Sequence, residues 1–335
     1  MKYEQWLSET ASDAVRYFSL GRHALTEALR VAGIASGDSV LLPEFLCRDV
    51  LASLVAVGAT PCWYPVGEDL KPGSASDDWP AARAVLAVDY FGFPQSLNPF
   101  REYAARTGAL IIEDNAHGFL SRDGNGEWLG TRGDLGVFSL RKTLPLADGA
   151  ALIAVPPELV ARLASELPAA GAGYAPSVAR KARLRRMAAV GPAVAAVATG
   201  MVRTLRMLRT GHAIPVPDAA AETVIPHPPA PHDGLAAALA VVDSQREIDR
   251  RRELYRMAER AAQKIGITPL FPDLPPLVAP YGFPFRADSG PALQGLKRWA
   301  SRHGLDLIRW PDLPDAIAAS APAHYRKVHL VNFLW

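Results

Sequence analysis

Residues 109–118 read ALIIEDNAHG and residues 133–152 read GDLGVFSLRKTLPLADGAAL, and these two stretches decide the fold. An apolar run leads up to Asp114, which puts a carboxylate at the end of a buried strand, where α/β sheets open their ligand crevice. His117 follows shortly after, and the second stretch is predicted to be a loop that carries Ser139 and Lys142. Taken alone, Asp114 also fits a helix cap, and a lone lysine is usually solvated. The two stretches in this order favour one shared site.

A carboxylate at a strand end, a histidine beyond it and a lysine in a glycine-flanked loop are the parts of a pyridoxal phosphate (PLP) site. In such a site Lys142 forms the Schiff base and Asp114 pairs with the pyridinium nitrogen. The sequence therefore predicts PLP as the cofactor, and we expect no metal.

The composition is that of an ordinary globular protein. The chain has 335 residues, 49% of them hydrophobic and 21% charged, which suits one large α/β domain and a smaller one. A net charge of +2 gives no reason to expect nucleic acid as a partner. Cys47 and Cys62 are too few for a disulfide framework, and we find no signal peptide and no apolar run of transmembrane length. We therefore expect a cytoplasmic protein.

Strand and helix patterns alternate on both sides of the Asp114 stretch. Residues 1–20 are predicted to be a lead-in helix or arm. Gly21 precedes a helical pattern. The free amides at the start of this helix could bind an anion, or Gly21 simply begins a helix. The alternation predicts a parallel sheet with right-handed crossovers. Strands are expected at Val40–Leu42 and within residues 60–66, 82–94, 109–114 and 151–156, and helices within residues 21–38, 46–59 and 97–108.

Residues 157–210 form a basic insert with two interpretations. Arg180, Lys181, Arg183, Arg185 and Arg186 precede an apolar stretch, and Arg203, Arg206 and Arg209 follow it at helical spacing. The favoured interpretation is a pair of long helices that cover the sheet or line a dimer interface, because Gly191 and Pro192 interrupt the apolar stretch. The alternative is an interfacial membrane helix, and an anionic partner patch stays open.

The C-terminal part is predicted to be a separate small α+β domain. Residues 1–210 would form the large cofactor-binding domain, 211–232 a Pro- and His-rich linker, and 233–335 the small domain. Its elements are one long helix over about 234–262, strands near residues 277–285 and 305–310, and a packed apolar tail.

The chain resembles the DegT/DnrJ/EryC1/StrS family of PLP-dependent aminotransferases. The resemblance is carried by GRHAL, GIASGDSVLLPEF, AVDYFGFP, LIIEDNAHG and the lysine loop, in the family's order and spacing. It implies an α/β fold of PLP fold type I, with a mostly parallel central sheet, helices on both faces and a small C-terminal α+β domain. It also implies a homodimer with active sites at the subunit interface.

The resemblance implies a role for each matching position. Lys142, Asp114 and His117 fall at the catalytic positions, with His117 near the phenolic oxygen of the ring. Lys142 would also be the base that moves the substrate proton. The cofactor-binding positions are Gly21, Arg22, His23, Cys47, Asp114, His117, Ser139 and Lys142.

Four departures from the family pattern stand beside these matches. Cys47 falls where an aromatic usually stacks on the ring, with Phe45 as a substitute candidate, and ADGAA replaces the family's GEGG around Gly149. Arg22 replaces Thr or Ser, and the phosphate-binding Asn of the partner subunit has no clear match. We therefore hypothesise that Arg22 supplies the missing phosphate contact.

The implied reaction moves an amino group from an amino acid such as glutamate to a keto-sugar, nucleotide-linked in the family's manner, in polysaccharide or secondary-metabolite biosynthesis. Sugar dehydratases related to the family have His in place of the Schiff-base lysine, and Lys142 argues against that activity. The alternative is a PLP-fold protein with lost or altered activity that acts as a binding or assembly subunit. The candidate substrate residues are Tyr90, Tyr281, Arg309 and Trp310.

Overall fold

A seven-stranded, mostly parallel sheet forms the centre of the molecule, as the sequence predicts. The computed structural model describes residues 12–144, 146–163, 179, 192–211 and 219–333. The strands of the large sheet are β1 (Val15–Phe18), β2 (Ser39–Pro43), β3 (Thr60–Tyr64), β4 (Ala84–Val88), β5 (Leu110–Asn115), β6 (Leu135–Phe138) and β7 (Ala150–Ala154). Their order is β1-β7-β6-β5-β4-β2-β3; β2 to β6 run parallel, whereas β7 and β1 are antiparallel to their neighbours.

Helices pack against the sheet. The described helices are α1 (Gly21–Val31), α2 (Leu51–Val55), α3 (Asn98–Thr107), α4 (Leu140–Thr143), α5 (Pro157–Val160), α6 (Pro192–Thr210), α7 (Leu235–Ala240), α8 (Ser244–Gln263), α9 (Pro291–Arg302), α10 (Asp315–Ala318) and α11 (Ala323–Arg326). Helix α1 packs against β6 and β7, and α3 packs against β4 and β5. Because the sheet is covered, strands such as β4 and β7 are buried along their whole length.

The register of β5 and β6 brings the two decisive stretches together. Asp114 lies opposite Val137, and Asn115 lies opposite Phe138. Ser139 therefore leaves the sheet beside Asp114, and the one-turn helix α4 that follows carries Lys142. The carboxyl ends of parallel strands meet at one edge, so sequence neighbours of both stretches line the same crevice.

A three-stranded sheet follows, made of β8 (Gly282–Arg286), β9 (Asp306–Arg309) and β10 (Val328–Asn332) in the order β8-β10-β9. The C-terminal tail is packed as predicted up to Phe333, since β10 is the middle strand, whereas residues 334 and 335 lie outside the described residues. One continuous hydrophobic core contains residues of both sheets, for example Val85 and Leu86 with Phe283 and Leu330. The domain boundaries at 210 and 233 stay predictions.

Three predicted elements were wrong. Part of the lead-in segment is strand β1, which pairs with β7, and the residues before Ser139 form strand β6 instead of a loop. The long helix after residue 233 is two helices, because the Asp243 side chain accepts a hydrogen bond from the Arg246 amide at 2.9 Å and starts α8 anew. A local capping group thus overrides a continuous helical pattern.

The basic insert is described in part. Residues 180–186 lie outside the described residues, whereas the Arg203–Arg209 part belongs to helix α6. Arg203 ties this helix to the small sheet through an ion pair with Asp306. Among the described residues, no helix is long and apolar enough to cross a membrane.

Candidate active site

A cleft at the carboxyl edge of the large sheet collects most of the predicted site residues, and we call it the Lys142 cleft. Its lining comes from the start of α1, the segment after β2, the ends of β4, β5 and β6, helix α4 and the residue after β9. The lining residues are Leu20, Gly21, Arg22, Leu25, Leu46, Cys47, Asp49, Val50, Val88, Asp114, Ala116, His117, Val137, Ser139, Arg141, Lys142 and Trp310.

Lys142 and His117 are in direct contact. The Lys142 Nζ lies 3.2 Å from His117 Nε2. The imidazole is stacked on the Tyr281 ring, with centroids 4.2 Å apart and planes 3° apart, and Phe91 lies nearly parallel to it at 5.8 Å. Burial, together with the charges of Lys142 and Arg251, lowers the pKa of His117 well below its usual value. A neutral His117 can therefore accept a hydrogen bond from the Lys142 amine.

Asp114 lines the cleft on the strand side. Burial raises the pKa of its carboxyl, while the Ala116 amide and the Lys142 charge act in the opposite direction. That amide donates to Asp114 Oδ1 at 3.0 Å and fixes the carboxylate at the strand end. Such a half-buried carboxylate is suited to a cationic ring nitrogen, because the added positive charge favours its ionised form.

Another wall of the cleft is the N-terminus of α1. The residue before it, Leu20, makes no side-chain cap, and the first turn holds no acidic residue. A Cβ added at Gly21 would lie 3.7 Å from the Ser139 Cβ, so this turn and the buried Ser139 hydroxyl adjoin each other. Unfilled amides at a helix start, combined with a hydroxyl, are suited to a phosphate group.

The remaining predicted cofactor residues are placed around this turn. Arg22 lines the cleft, and its guanidinium lies 3.6 Å from the Asp49 carboxylate and 3.5 Å from the Val224 carbonyl. The His23 ring turns to the His227 carbonyl at 2.9 Å and its amide donates to the Leu20 carbonyl at 3.0 Å, so His23 does not line the cleft. Cys47 lines the cleft, and burial raises the pKa of its thiol to about 12.

The predicted substrate residues fall into two groups. Trp310 lines the cleft, and Tyr281 reaches it through the stacked His117 ring. Tyr90 is instead buried, with its hydroxyl donating to the Phe45 carbonyl at 2.8 Å, and Arg309 is exposed at the end of β9. The Phe45 ring is fully buried against Tyr90 and Trp310, so it does not replace the missing aromatic.

Arg251 on α8 is the main site residue that sequence reasoning missed. Its side chain is 1% exposed and donates to the carbonyls of Lys142 (2.7 Å) and Thr143 (2.8 Å), and to those of Pro280 and Tyr281 (both 3.2 Å). Glu247 balances the charge at 2.7 Å. Arg251 thus joins the lysine loop to the segment that stacks on His117. The sequence shows only one of several arginines on an amphipathic helix, which is no signal for this role.

The ADGAA segment, which replaces the family's GEGG, contacts residues near His232 and Leu235. Asp148 pairs with the His232 ring, and its second oxygen accepts from the His232 amide at 3.1 Å. The next residue, Gly149, has φ +121°, and a Cβ there would meet Leu235 at 2.9 Å. Residues 219–232 belong to the predicted linker and pack beside the ADGAA segment and the start of α1. The Ser19 amide, for example, donates to the Pro229 carbonyl at 2.9 Å.

The chain belongs to the DegT/DnrJ/EryC1/StrS aminotransferase family, whose profile matches residues 12–281. Members of this family are PLP-dependent, and the fold is that of PLP fold type I. The chain is similar to the DesV protein of S. venezuelae, with a TM-score of 0.61 and 21% identity over 98% of this chain and 83% of that one.

Among curated proteins, the chain is 32% identical over 153 residues to an L-glutamine:2-deoxy-scyllo-inosose aminotransferase of Streptomyces kanamyceticus. It is 35% identical over 152 residues to a dTDP-3-amino-3,4,6-trideoxy-α-D-glucose transaminase of Streptomyces venezuelae. Each match covers 43% of this chain, but only 35% and 39% of the respective relative.

Proposed function

We propose that the chain is a PLP-dependent aminotransferase whose reacting amine is Lys142. The observation that carries this proposal is the contact between Lys142 Nζ and His117 Nε2 at 3.2 Å, in a cleft that also exposes Asp114 and the start of α1. The cofactor requires an amine for its aldehyde carbon, a carboxylate for its ring nitrogen and an anion-binding helix end for its phosphate.

The residues present fit the cofactor. The α1 turn at Gly21 and the Ser139 hydroxyl would hold the phosphate, Asp114 the ring nitrogen, and Lys142 the aldehyde carbon. When bound, PLP supplies an electron sink for the charge that develops at the substrate carbon. Of the lining residues, Trp310 is the aromatic that could contact the ring, since Cys47 offers no ring of its own.

The protein's own part of the reaction is proton handling. Lys142 can carry a proton between substrate atoms, and neutral His117 can hold its Nζ by a hydrogen bond. Asp114 would keep the ring nitrogen of the bound cofactor charged, and Arg251 fixes the backbone from which Lys142 extends. The stacking of His117 on Tyr281 holds the imidazole in one orientation.

The proposed donor is an amino acid such as glutamate, and the proposed acceptor is a keto-sugar, nucleotide-linked as the name of the S. venezuelae relative indicates for that protein. The product would enter polysaccharide or secondary-metabolite biosynthesis. A cytoplasmic homodimer with interface active sites is part of the same proposal, and it rests on family membership.

A second candidate function is a PLP-fold subunit with lost or altered turnover. It is favoured by two departures from the family pattern: Cys47, which lines the cleft at the position of the stacking aromatic, and ADGAA in place of GEGG, where Asp148 pairs with His232. The intact set of Lys142, Asp114 and Ser139 favours the enzyme, because a binding subunit has no need for a reactive amine.

The visible absorption spectrum of the purified protein with added PLP tests the proposal. We expect a yellow species that borohydride traps covalently in the wild type and that is absent in Lys142→Ala. Glutamate should then convert the bound cofactor to its pyridoxamine form. A yellow protein that glutamate leaves unchanged would support the binding subunit, and a chain that cannot be charged with PLP would contradict both.

A further inference from the structure

Helix α6 (Pro192–Thr210) carries an apolar stripe that no described part of the chain covers. Val194, Val197, Met201, Leu205 and Leu208 recur at spacings of three and four residues and are 39%, 65%, 63%, 52% and 78% exposed. At 100° per residue these positions fall within an arc of about 80°. Scattered exposed apolar side chains are ordinary, but a continuous stripe along four turns of one helix is an interaction surface.

The way that α6 is attached turns this stripe away from the protein. Arg203 donates to the Leu305 carbonyl at 3.4 Å and pairs with Asp306, at the start of β9. Arg203 follows Val194 by nine positions, or about two and a half turns, so the two side chains leave the helix on opposite sides. The anchored side and the apolar stripe are therefore opposite each other, and Arg206 and Arg209 lie on one flank between them.

The charge of this part of the chain is strongly segregated. No Asp or Glu occurs between Glu166 and Asp218, whereas eight Arg and Lys do. Because the whole chain has a formal charge of +2, the remainder carries −6. The apolar stripe thus belongs to the basic part of an otherwise acidic protein, and a complementary partner must combine negative charge with an apolar interior.

We propose that α6 is a docking helix for an anionic phospholipid surface, lying in the plane of the headgroups. Apolar side chains on one face and arginines on the flank are the features of interfacial helices, since the arginines extend to the phosphates while the stripe enters the acyl boundary. Each basic residue near such a surface contributes about 1 kcal/mol, or about fivefold in affinity.

A second copy of the chain is the competing occupant of the stripe. A symmetric interface through α6 would pair the same patch on both subunits, which brings two basic segments together. That repulsion disfavours self-association through α6 and favours a negatively charged partner for the stripe, while the proposed homodimer would form through another surface. Docking does not depend on the proposed aminotransferase activity, so either can fail alone.

Vesicle co-sedimentation of the full-length protein tests the proposal. The probes are phosphatidylcholine vesicles with about one third phosphatidylglycerol, and vesicles of phosphatidylcholine alone. We expect binding to the anionic vesicles only, and weaker binding when salt rises from about 0.1 to about 1 M, because the screening length falls from about 10 to about 3 Å. The variant Val197→Asp/Leu208→Asp should bind at least tenfold more weakly.

The matched control is Val241→Asp, since Val241 is an exposed apolar side chain (83%) outside α6. The control should bind like the wild type, and all three proteins should share one circular dichroism spectrum and melting temperature. Absence of binding to anionic vesicles, or equal loss in the control, overturns the proposal. The proposal is also overturned if the wild type self-associates and does not bind vesicles, and if the α6 variant, but not the control, dissociates into smaller species.

Discussion

At the scale of single residues, the reactive amine depends on a buried cation far from it in sequence. Arg251 donates to the carbonyls of Lys142, Thr143, Pro280 and Tyr281, so one side chain fixes both the lysine loop and the ring that stacks on His117. The guanidinium presents five donors in a rigid fork, which methionine cannot replace and lysine replaces only in part.

Arg251→Met is expected to weaken PLP binding and to lower half-transamination by glutamate about 100-fold, because the lysine is held less accurately. Titration of the protein with PLP by visible absorption, and single-turnover kinetics, measure the two effects. Arg251→Lys should restore part of the rate.

The control is Arg252→Met. Arg252 is the next residue of α8 and also donates to carbonyls, those of Pro275 and Val278, but it makes no bond to the lysine loop. If both methionine variants lose PLP affinity equally, the effect of Arg251 is general destabilisation and not positioning.

Arg22 gives a second prediction at this scale. It lies in the cleft at the start of α1 and pairs with Asp49 at 3.6 Å, a weak contact that a phosphate could replace. Arg22→Thr should therefore raise the dissociation constant of PLP, as measured by absorbance titration. Asp49→Asn should leave that constant unchanged or lower it. Unchanged affinity in Arg22→Thr would show that the α1 amides and Ser139 suffice.

At the scale of elements, α8 begins at its own cap and carries the charge pair that balances Arg251. Glu247 lies 2.7 Å from Arg251 and 2.8 Å from Arg250 and is 12% exposed. Burial opposes ionisation of Glu247, but the Arg251 and Arg250 charges outweigh it and lower the pKa of the carboxyl.

A carboxyl whose pKa is lower in the folded protein than in the unfolded chain, where it is about 4.3, stabilises the fold above that pH. This stabilisation is lost as the pH falls through the folded-state pKa. Glu247→Gln should cost about 2 kcal/mol of unfolding free energy at neutral pH. Its stability should also decline less than that of the wild type as the solution is acidified. Urea unfolding at a series of pH values measures both, and parallel declines would exclude the pair as the cause.

At the scale of the whole molecule, the two sheets share one hydrophobic core. Leu330 on β10 is fully buried, and its strand is the only partner of β9 within the described small sheet. Trp310 follows β9 directly and lines the Lys142 cleft, so the fold of the last residues positions a wall of the site.

Leu330→Ala is expected to destabilise the entire chain by about 3 kcal/mol, because it leaves a cavity in the shared core. Tryptophan fluorescence and far-ultraviolet circular dichroism should follow one coincident urea transition that shifts as a whole. Two separate transitions, of which only one moves, would instead support the predicted division into domains at residues 210 and 233.

The sequence by itself determined the frame of the site. Asp114, Ser139 and Lys142 could be placed because each stands next to an apolar run or a glycine whose local pattern is independent of the rest of the chain. The order of strands and helices followed from the same local patterns, and the family followed from motifs at fixed spacing. These signals are short-range, and they therefore survive in a single sequence.

Tertiary structure decided everything that depends on distant residues. The hydrogen bonds from Arg251 to the lysine loop, the stacking of Tyr281 on His117 and the contacts of residues 219–232 with Ser19 and Asp148 join segments about 80 to 210 positions apart, without any local pattern to reveal them. The same cause explains the wrongly predicted lead-in segment, because β1 becomes a strand only by pairing with β7. Tyr90 likewise lies in the core, where its hydroxyl donates to the Phe45 carbonyl. Burial and pairing between remote segments are properties of the folded chain, and only the fold could assign them.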